Sequence, residues 1–169
     1  MAAAVTPDPV AERVARAVAG LGVAYDIVPC DPDLADTAAF CEAYGYALSE
    51  SANTILVAGK GDPNVFVACV VLGTTRLDVN GAVRRRLGVR KASFANAEQV
   101  AAVTGMQIGG VTPFDLGDLP IWVDARIVAL ERIVLGGGSR SCKVVGPPAL
   151  LTAQPSAEVV ADLAIAIPT

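Results

Sequence analysis

Hydrophobic positions near the start of the chain repeat at helical spacing. Val10, Val14 and Val18 lie four residues apart, which places their side chains on one face of a helix. Asp8 stands where a helix N-cap is expected, and a proline follows it at the first helical position. The pattern therefore predicts a helix that ends near residues 20–22.

The hydrophobic period then shortens to that of strands. The run "YDIVP" at 25–29 predicts a short strand, and "DTAAFCEAYG" at 36–45 predicts a helix that ends at its glycine. Two apolar runs follow at 53–59 and 65–73, separated by "KGDPN". Turn residues between two apolar runs predict a hairpin of buried strands.

Two capped helices are predicted in the middle of the chain. Asp78 precedes the segment 79–88, in which valine and leucine face inward and arginines face outward. Asn96 precedes a second helical segment at 97–105. Between them, "KASFA" at 91–95 is compatible with a short strand.

The segment "TGMQIGGVTPFDLGDLP" at 104–120 fits neither a long helix nor a clean strand, because glycine and proline recur along it. Apolar side chains between them indicate a shaped loop that lies on a core. Free glycine N–H groups in such a loop can bind an oxygen or a phosphate. The segment matches neither a P-loop nor a dinucleotide fingerprint, and the residues alone favour a structural turn between a helix and a strand.

The last third of the chain returns to apolar runs. Strands are predicted at 120–124 and 141–146, and a short helix or turn followed by a strand at 125–137. A short helix is expected at 147–153, and periodicity leaves 156–167 open between helix and strand. The sum predicts a mixed α/β (α+β) fold of about six to seven strands with helices around them, in a single domain spanning 1–169.

Composition narrows the class of protein. The chain is 53% hydrophobic with a mean hydropathy of +0.52 and only 5% aromatic, so its core is expected to consist mainly of Ala, Val, Leu and Ile. No apolar run is long enough for a membrane span, and the first twenty residues lack the pattern of a signal peptide. We therefore expect a cytoplasmic protein whose first residues are its mature amino terminus.

The absence of histidine excludes several chemistries. With no histidine in 169 residues, Ser-His-Asp and Cys-His arrangements and any histidine general base are ruled out. The four cysteines form no CxxC pair, so we expect reduced, mostly buried thiols, no metal site and no cofactor.

The charge is acidic overall and basic in one place. The net charge is −4, yet five cations lie within eight positions: Arg84, Arg85, Arg86, Arg90 and Lys91. They could contact a nucleic-acid backbone or simply form a solvated helix face, and the residues alone leave both readings open.

The loop at 104–114, "TGMQIGGVTPF", resembles the Gly-Gly-Val-Ser/Thr-Pro loop of the YbaK / prolyl-tRNA synthetase-associated (INS-like) aminoacyl-tRNA editing domains. The surrounding segments agree in order: "TRLDVNGAVRRRLGVRKASFANAEQVAAVTG" before it, and "PIWVDARI" and "VLGGGSRSCKV" after it. The resemblance extends from about residue 37 to 165 and is strongest over 74–146.

The resemblance implies a mixed sheet curled into a partial barrel. It also implies a deacylase that binds the 3′-terminal adenosine and acceptor stem of an aminoacyl-tRNA and cleaves the ester of a wrongly attached amino acid. Backbone N–H groups would hold the ester, which requires no histidine. The matching catalytic positions are Gly109, Gly110, Val111, Thr112 and Pro113.

Other roles follow from the same resemblance. Ile108 and Phe114 would shape the wall of the pocket, and Ser139 and Arg140 lie in the glycine-flanked hairpin near it. Asp124 could bind the substrate amine or, as the residues favour, cap a helix.

The chain departs from the family at one position. Asn53 stands where the family usually carries a lysine, and an amide offers a neutral donor and acceptor in place of a charge. Three hypotheses remain: a trans-acting deacylase, a non-catalytic relative that binds aminoacyl-adenosine, tRNA or a synthetase, and a hydrolase of small esters. Gly110→Ala is expected to block the pocket and leave the fold largely intact.

Overall fold

The computed structural model describes residues 8–168; the expected mature amino terminus, residues 1–7, lies outside this range. The helices are α1 Pro9–Ala19, α2 Thr37–Tyr44, α3 Arg84–Leu87, α4 Ala97–Thr104 and α5 Ala149–Thr152. The strands are β1 Asp26–Pro29, β2 Ala52–Gly59, β3 Val65–Leu72, β4 Thr75–Leu77, β5 Ala92–Phe94, β6 Ile121–Asp124, β7 Ile133–Gly136, β8 Cys142–Gly146, β9 Ala157–Val160 and β10 Ala164–Ala166.

The largest sheet mixes antiparallel and parallel strands in the order β5-β2-β3-β6-β9. Strands β2 and β3 form the predicted hairpin, whereas β3–β6 and β6–β9 are parallel pairs. A three-stranded antiparallel sheet, β1-β8-β7, and a two-stranded sheet, β10-β4, complete the fold. The predicted mixed α+β class is confirmed.

The structure contains more strands than the sequence predicted. Ten strands occur within residues 8–168, against the six or seven expected. The segment 156–167, ambiguous from periodicity, forms β9 and β10, because each finds a partner strand in β6 and β4. Pairing with distant strands thus decides what local spacing leaves open.

Helix boundaries follow the predicted caps. The Asp8 carboxylate accepts from Val10 N–H and Ala11 N–H, each at 3.1 Å, and Asn96 forms a reciprocal capping box at α4. Asp78 also caps as predicted, but the turn it caps, Val79–Val83, is π-helical before α3 begins.

The core has one cluster on each face of the large sheet. The larger cluster packs α1, α5 and the inner face of β7 and β8 against β3 and β6, with Phe114 among its fully buried members. The second packs the opposite face against the turn before α3 and the segment around Leu163. No helix within residues 8–168 is long and apolar enough to cross a membrane.

One edge of β2 is paired at both ends and open between them. Strand β5 pairs with residues 57–59 of β2, and Ala95 N–H donates to the Leu56 carbonyl at 2.9 Å. At the other end a single parallel bridge joins Ser51 to Val134 of β7. The two neighbours diverge between these points, which leaves a gap in the sheet.

Candidate functional site

A cleft of about 350 Å³ opens at the gap along β2. Its floor is the edge of β2, and its walls come from β5, β7, the start of α2 and the glycine-rich loop after α4. The lining residues are Ala35, Asp36, Thr37, Ser51, Ala52, Asn53, Thr54, Ile55, Leu56, Phe94, Ala95, Val100, Ile108, Gly109, Val111, Val134, Leu135, Gly136 and Lys143. A cleft with apolar walls and a few polar groups is typical of small-ligand sites.

The glycine-rich loop contributes part of its predicted set to this cleft. Ile108, Gly109 and Val111 line the wall, and Ile108 remains 57% exposed at the mouth. Gly109 has φ +94°, a conformation that favours glycine. The loop is therefore both a shaped turn and a cleft wall.

The rest of the predicted loop faces the protein interior. Thr112, Pro113 and Phe114 are buried and do not line the cleft. Phe114, expected to shape the wall, packs in the larger core cluster instead, where its aromatic ring fills space behind the loop. Thr112 is fully buried, and its Oγ1 has no hydrogen-bond partner.

Gly110 is packed against the β7–β8 hairpin. Its N–H donates to the Gln107 carbonyl at 3.0 Å, and its carbonyl accepts from Gly138 N–H at 2.8 Å. A Cβ at Gly110 would lie 2.6 to 2.9 Å from backbone atoms of Ser139. The structure therefore corrects the expectation for Gly110→Ala: the added methyl would push the loop off the hairpin and would not simply fill the cleft.

The polar end of the cleft lies between β2 and the start of α2. Thr37 Oγ1 donates to Asn53 Oδ1 at 2.5 Å, so the predicted residue Asn53 is oriented by a partner. Next to it on β2, Thr54 Oγ1 is buried without a hydrogen-bond partner. A buried hydroxyl left unsatisfied next to a cleft is a position where a ligand can bind.

Lys143 is one of two cleft residues that the sequence interpretation missed. It lines the same end of the cleft from β8, with only 7% of its surface exposed. Its Nζ donates to the Ala35 carbonyl at 2.6 Å and lies 5.4 Å from the centre of the Phe40 ring. The available signal was a single lysine inside the apolar run "SCKVVG", which predicts a buried charge.

Arg140 does not line the cleft but hydrogen-bonds to residues on two of its walls. Its guanidinium donates to the Pro32 carbonyl at 3.0 Å, to Asp36 Oδ1 at 3.2 Å and to the Ile108 carbonyl at 3.4 Å. Ser139, its neighbour, shares a 2.8 Å hydrogen bond with Ser141. Both predicted residues lie beside the cleft, and Arg140 connects its two walls.

Asp124 lies away from the cleft. Its carboxylate is 1% exposed, accepts from Ala164 N–H at 2.9 Å and pairs with the Arg126 guanidinium. It also accepts from Arg126 N–H at 2.9 Å, which is a turn contact; the short 3₁₀ helix Ile127–Ala129 has Arg126 at its N-cap, so the predicted helix cap at Asp124 is wrong. These contacts use the carboxylate to join β6 to β10.

A second, basic groove lies on the far side of β5. It measures about 540 Å³ and carries the side chains of Lys60, Arg84, Arg90 and Lys91, with no acidic residue in its lining. Its other lining residues are Ala58, Asn64, Asn80, Ala92, Ser93 and Gln99.

The five predicted cations therefore separate into two groups. Arg84, Arg90 and Lys91 line the groove, whereas Arg85 and Arg86 do not. Arg86 pairs with Glu158 and lies over the Trp122 ring.

Phe94 is a second residue that the sequence interpretation missed. It lies at the end of β5, is 58% exposed and lines the cleft. The preceding residues of the same strand, Ala92 and Ser93, line the basic groove. One short strand thus separates an apolar mouth from a cationic surface.

The cysteines behave as the sequence predicts. All four are free thiols, and three of them are buried. Burial raises the pKa of Cys69 to about 12, which keeps this thiol protonated in the sheet.

Solved structures match this fold closely. One, described as a candidate trans-editing enzyme for prolyl-tRNA synthetase, superposes with a TM-score of 0.78 at 24% identity, over 92% of this chain and 98% of the other. Another, the hypothetical protein APE2540, gives a TM-score of 0.79 at 24% identity, over 90% and 99%. At this identity the likeness establishes the fold.

Sequence comparison adds a relative and a family. YwhH of Bacillus subtilis (strain 168), an uncharacterized protein, is 28% identical over 120 residues, which cover 70% of this chain and 74% of YwhH. The family model of the aminoacyl-tRNA editing domain matches residues 31–153. This range includes all the lining residues of the cleft and of the basic groove. The chain therefore belongs to the aminoacyl-tRNA editing domain family.

Proposed function

We propose that this protein is an aminoacyl-tRNA deacylase that acts in trans in the cytoplasm and hydrolyses the ester of a mischarged tRNA. The observation that carries the proposal is the cleft at the open edge of β2. There the backbone of the glycine-rich loop, an oriented amide at Asn53 and an unpartnered hydroxyl at Thr54 meet an apolar mouth.

The cleft mouth suits the terminal adenosine. Phe94 and Ile108 are large apolar side chains left exposed on either side of the opening. An exposed aromatic ring at a binding site can stack on a base, which is worth about 1–3 kcal/mol. The acyl group would then reach the polar end next to Asn53.

The basic groove suits the rest of the acceptor stem. The groove and the cleft share β5, and Arg90 and Lys91 directly precede that strand, so a nucleic-acid strand whose last nucleotide enters the cleft could run its phosphates along these two cations. Phosphate contacts of this kind position a nucleic acid without reading its sequence.

Hydrolysis in this cleft would depend on positioning. Water adds its oxygen to the ester carbonyl carbon, the bond from that carbon to the ribose oxygen breaks, and the ribose oxygen takes a proton. The products are the free amino acid and a tRNA with its hydroxyl restored. Placing water and ester together, with donors aimed at the carbonyl oxygen, can supply much of the rate without a histidine.

A second candidate is a non-catalytic relative that binds aminoacyl-adenosine, tRNA or a synthetase. The observation that favours it is the hydrogen bond between Thr37 and Asn53, which occupies the neutral side chain at the position of the family lysine. Such a protein would bind an unreactive aminoacyl-adenosine and release no amino acid. Turnover of small esters without dependence on tRNA would instead indicate a small-ester hydrolase.

The test is deacylation across cognate and mischarged tRNAs, including Ala-, Cys-, Ser- and Thr-charged species. Wild type is compared with Gly109→Ala, whose Cβ would lie 1.9 Å from a terminal nitrogen of Arg140, at the wall of the cleft. Gly117→Ala is the matched control, because Gly117 has φ +60° in the same loop and open space around it. Selective hydrolysis by wild type and the control, lost in Gly109→Ala, is expected; equal hydrolysis by all three would contradict the site.

A further inference from the structure

Lys143 is a buried cation without a carboxylate partner among residues 8–168. The ion pairs in this range involve arginines, and the nearby Asp36 pairs with Arg140. Lys143 Nζ has one hydrogen bond, to the Ala35 carbonyl, and an aromatic ring beneath it. An ammonium carries three donors, so at least one N–H is left for the cleft that its side chain lines.

A charge in this position is costly to the folded protein. Removing an ammonium from water is unfavourable unless it is paired, and one carbonyl compensates only in part. Burial lowers the pKa of Lys143, and the Arg140 guanidinium lowers it further, while Cys30, Asp36 and Cys41 act in the opposite direction. The protein therefore keeps an under-compensated donor at the polar end of the cleft.

The groups around Lys143 indicate what it binds. Thr54 Oγ1, on a strand that lines the same cleft, is unpartnered, and the side-chain oxygen Oδ1 of Asn53 already accepts from Thr37. Asp36 is the one carboxylate among the lining residues, and it pairs with Arg140, so the donors at this end keep unused hydrogen-bonding capacity. An oxygen that gains negative charge during reaction is the acceptor that an unpaired ammonium favours most.

We propose that Lys143 is a catalytic residue that donates a hydrogen bond to the carbonyl oxygen of the ester and stabilises the oxyanion formed from it. This inference rests on the proposed deacylase function and names a group for it. As water bonds to the carbonyl carbon, the C=O electron pair moves to the oxygen held by Lys143 Nζ. This electron pair re-forms the C=O bond when the bond from the carbonyl carbon to the ribose oxygen breaks. The proton released by water is transferred to the ribose oxygen.

The test compares wild type with Lys143→Met, which keeps length and removes the charge. Loss of one oxyanion donor should lower kcat by about 10²–10³-fold. The Kd of an adenosine carrying an amide-linked amino acid should rise by a smaller factor, about tenfold. The melting temperature should hold or rise, because an apolar side chain replaces a buried charge.

A packing control and a pH profile separate catalysis from structure. Val145→Ala shortens a buried side chain on the same face of β8 that does not itself line the cleft, so its kcat should match wild type. The enzyme-dependent rate of wild type should fall as pH rises toward the ordinary lysine range, beginning below 10.5 because the pKa of Lys143 is lowered. That alkaline limb should be missing in Lys143→Met.

The two proposals fail differently. Equal kcat and equal analogue binding in wild type and Lys143→Met would overturn the role of Lys143 and leave the deacylase in place. Absence of hydrolysis by wild type, with analogue binding weakened about tenfold by Lys143→Met, would overturn the deacylase and support the contact. Neither hydrolysis nor binding by wild type would overturn both.

Discussion

The cleft and the basic groove lie on either side of β5 and differ in the polarity and solvent exposure of their lining side chains. The cleft places buried or oriented polar groups, Lys143, Thr54 and Asn53, behind an apolar mouth. The groove exposes side chains such as Arg90 and Lys91 to solvent. Electrostatic interactions are strong and geometry-dependent in the first setting, and weak, additive and screened by salt in the second. The cleft can thus position the reacting groups, while the groove attracts the phosphates of a nucleic acid.

The largest effect is expected where the loop meets the hairpin. Gly110→Ala forces a methyl against the Ser139 backbone and should cost about 3 kcal/mol in the free energy of unfolding. Deacylation should fall by more than the loss of folded protein explains, since Gly109 and Val111 move with the loop. Denaturant unfolding and single-turnover rates measure the two effects. Unchanged stability would mean that the loop and hairpin can separate freely.

The next effect tests the mouth of the cleft alone. Phe94→Ala removes the exposed ring and should weaken binding of the amide-linked aminoacyl-adenosine by about 10–100-fold, with little dependence on salt. Titration at two salt concentrations measures it. Val65→Ala is the matched control, because it removes an exposed apolar side chain that lines neither the cleft nor the basic groove. Equal affinity for both variants would remove the base-stacking role.

A smaller and different effect is expected in the groove. Replacing both Arg90 and Lys91 by alanine should weaken tRNA binding several-fold and lower the slope of log K against log salt by about 0.8 for each cation. Affinity for the adenosine analogue should stay as in wild type, because neither residue lines the cleft. Arg85→Ala, outside the groove, should change the slope less. A larger change at Arg85 would move the tRNA path to another face.

The smallest effect concerns α1, which packs behind the hairpin. Asp8→Ala removes the cap of α1 and should cost about 1 kcal/mol in the free energy of unfolding. The Ser139 hydroxyl lowers the pKa of Asp8, with further help from the Ala11 and Val10 N–H groups. A lowered folded pKa means that the stabilisation is complete above the ordinary value of 3.8 and disappears as pH falls through the folded value.

Urea unfolding at several pH values checks this prediction. The difference between wild type and Asp8→Ala should be constant at neutral pH and shrink only under acid conditions below 3.8. A difference that instead shrank on going from pH 5 to pH 7 would contradict the assigned direction.

Local signals in the sequence predicted most of the fold. Helix caps at Asp8, Asp78 and Asn96 and the β2–β3 hairpin depend on neighbouring residues, and each forms as expected. The strands β9 and β10 could not be read in this way, because their partners lie about 35 and 90 residues away along the chain.

The site was less accessible from sequence for the same reason. The loop residues Ile108, Gly109 and Val111 were found because they are contiguous. Phe114 belongs to the same run, yet its ring turns into the core, a direction that only packing decides. Lys143 is 90 residues from Asn53 and reaches the cleft through the pairing of β7 with β8, which no local pattern reveals.

The interrupted edge of β2 has a consequence for how the free and bound protein differ. Since the Leu56 backbone faces this edge, alternation along the strand turns the Thr54 amide to the same side, where no neighbouring strand covers it. The Thr54 amide, although it lies on a central strand of the fold, should therefore exchange with deuterium as fast as a loop amide does. A ligand lying along the gap could supply the hydrogen-bond partner that no neighbouring strand provides. Slower exchange at the Thr54 amide would then indicate that the ligand is bound.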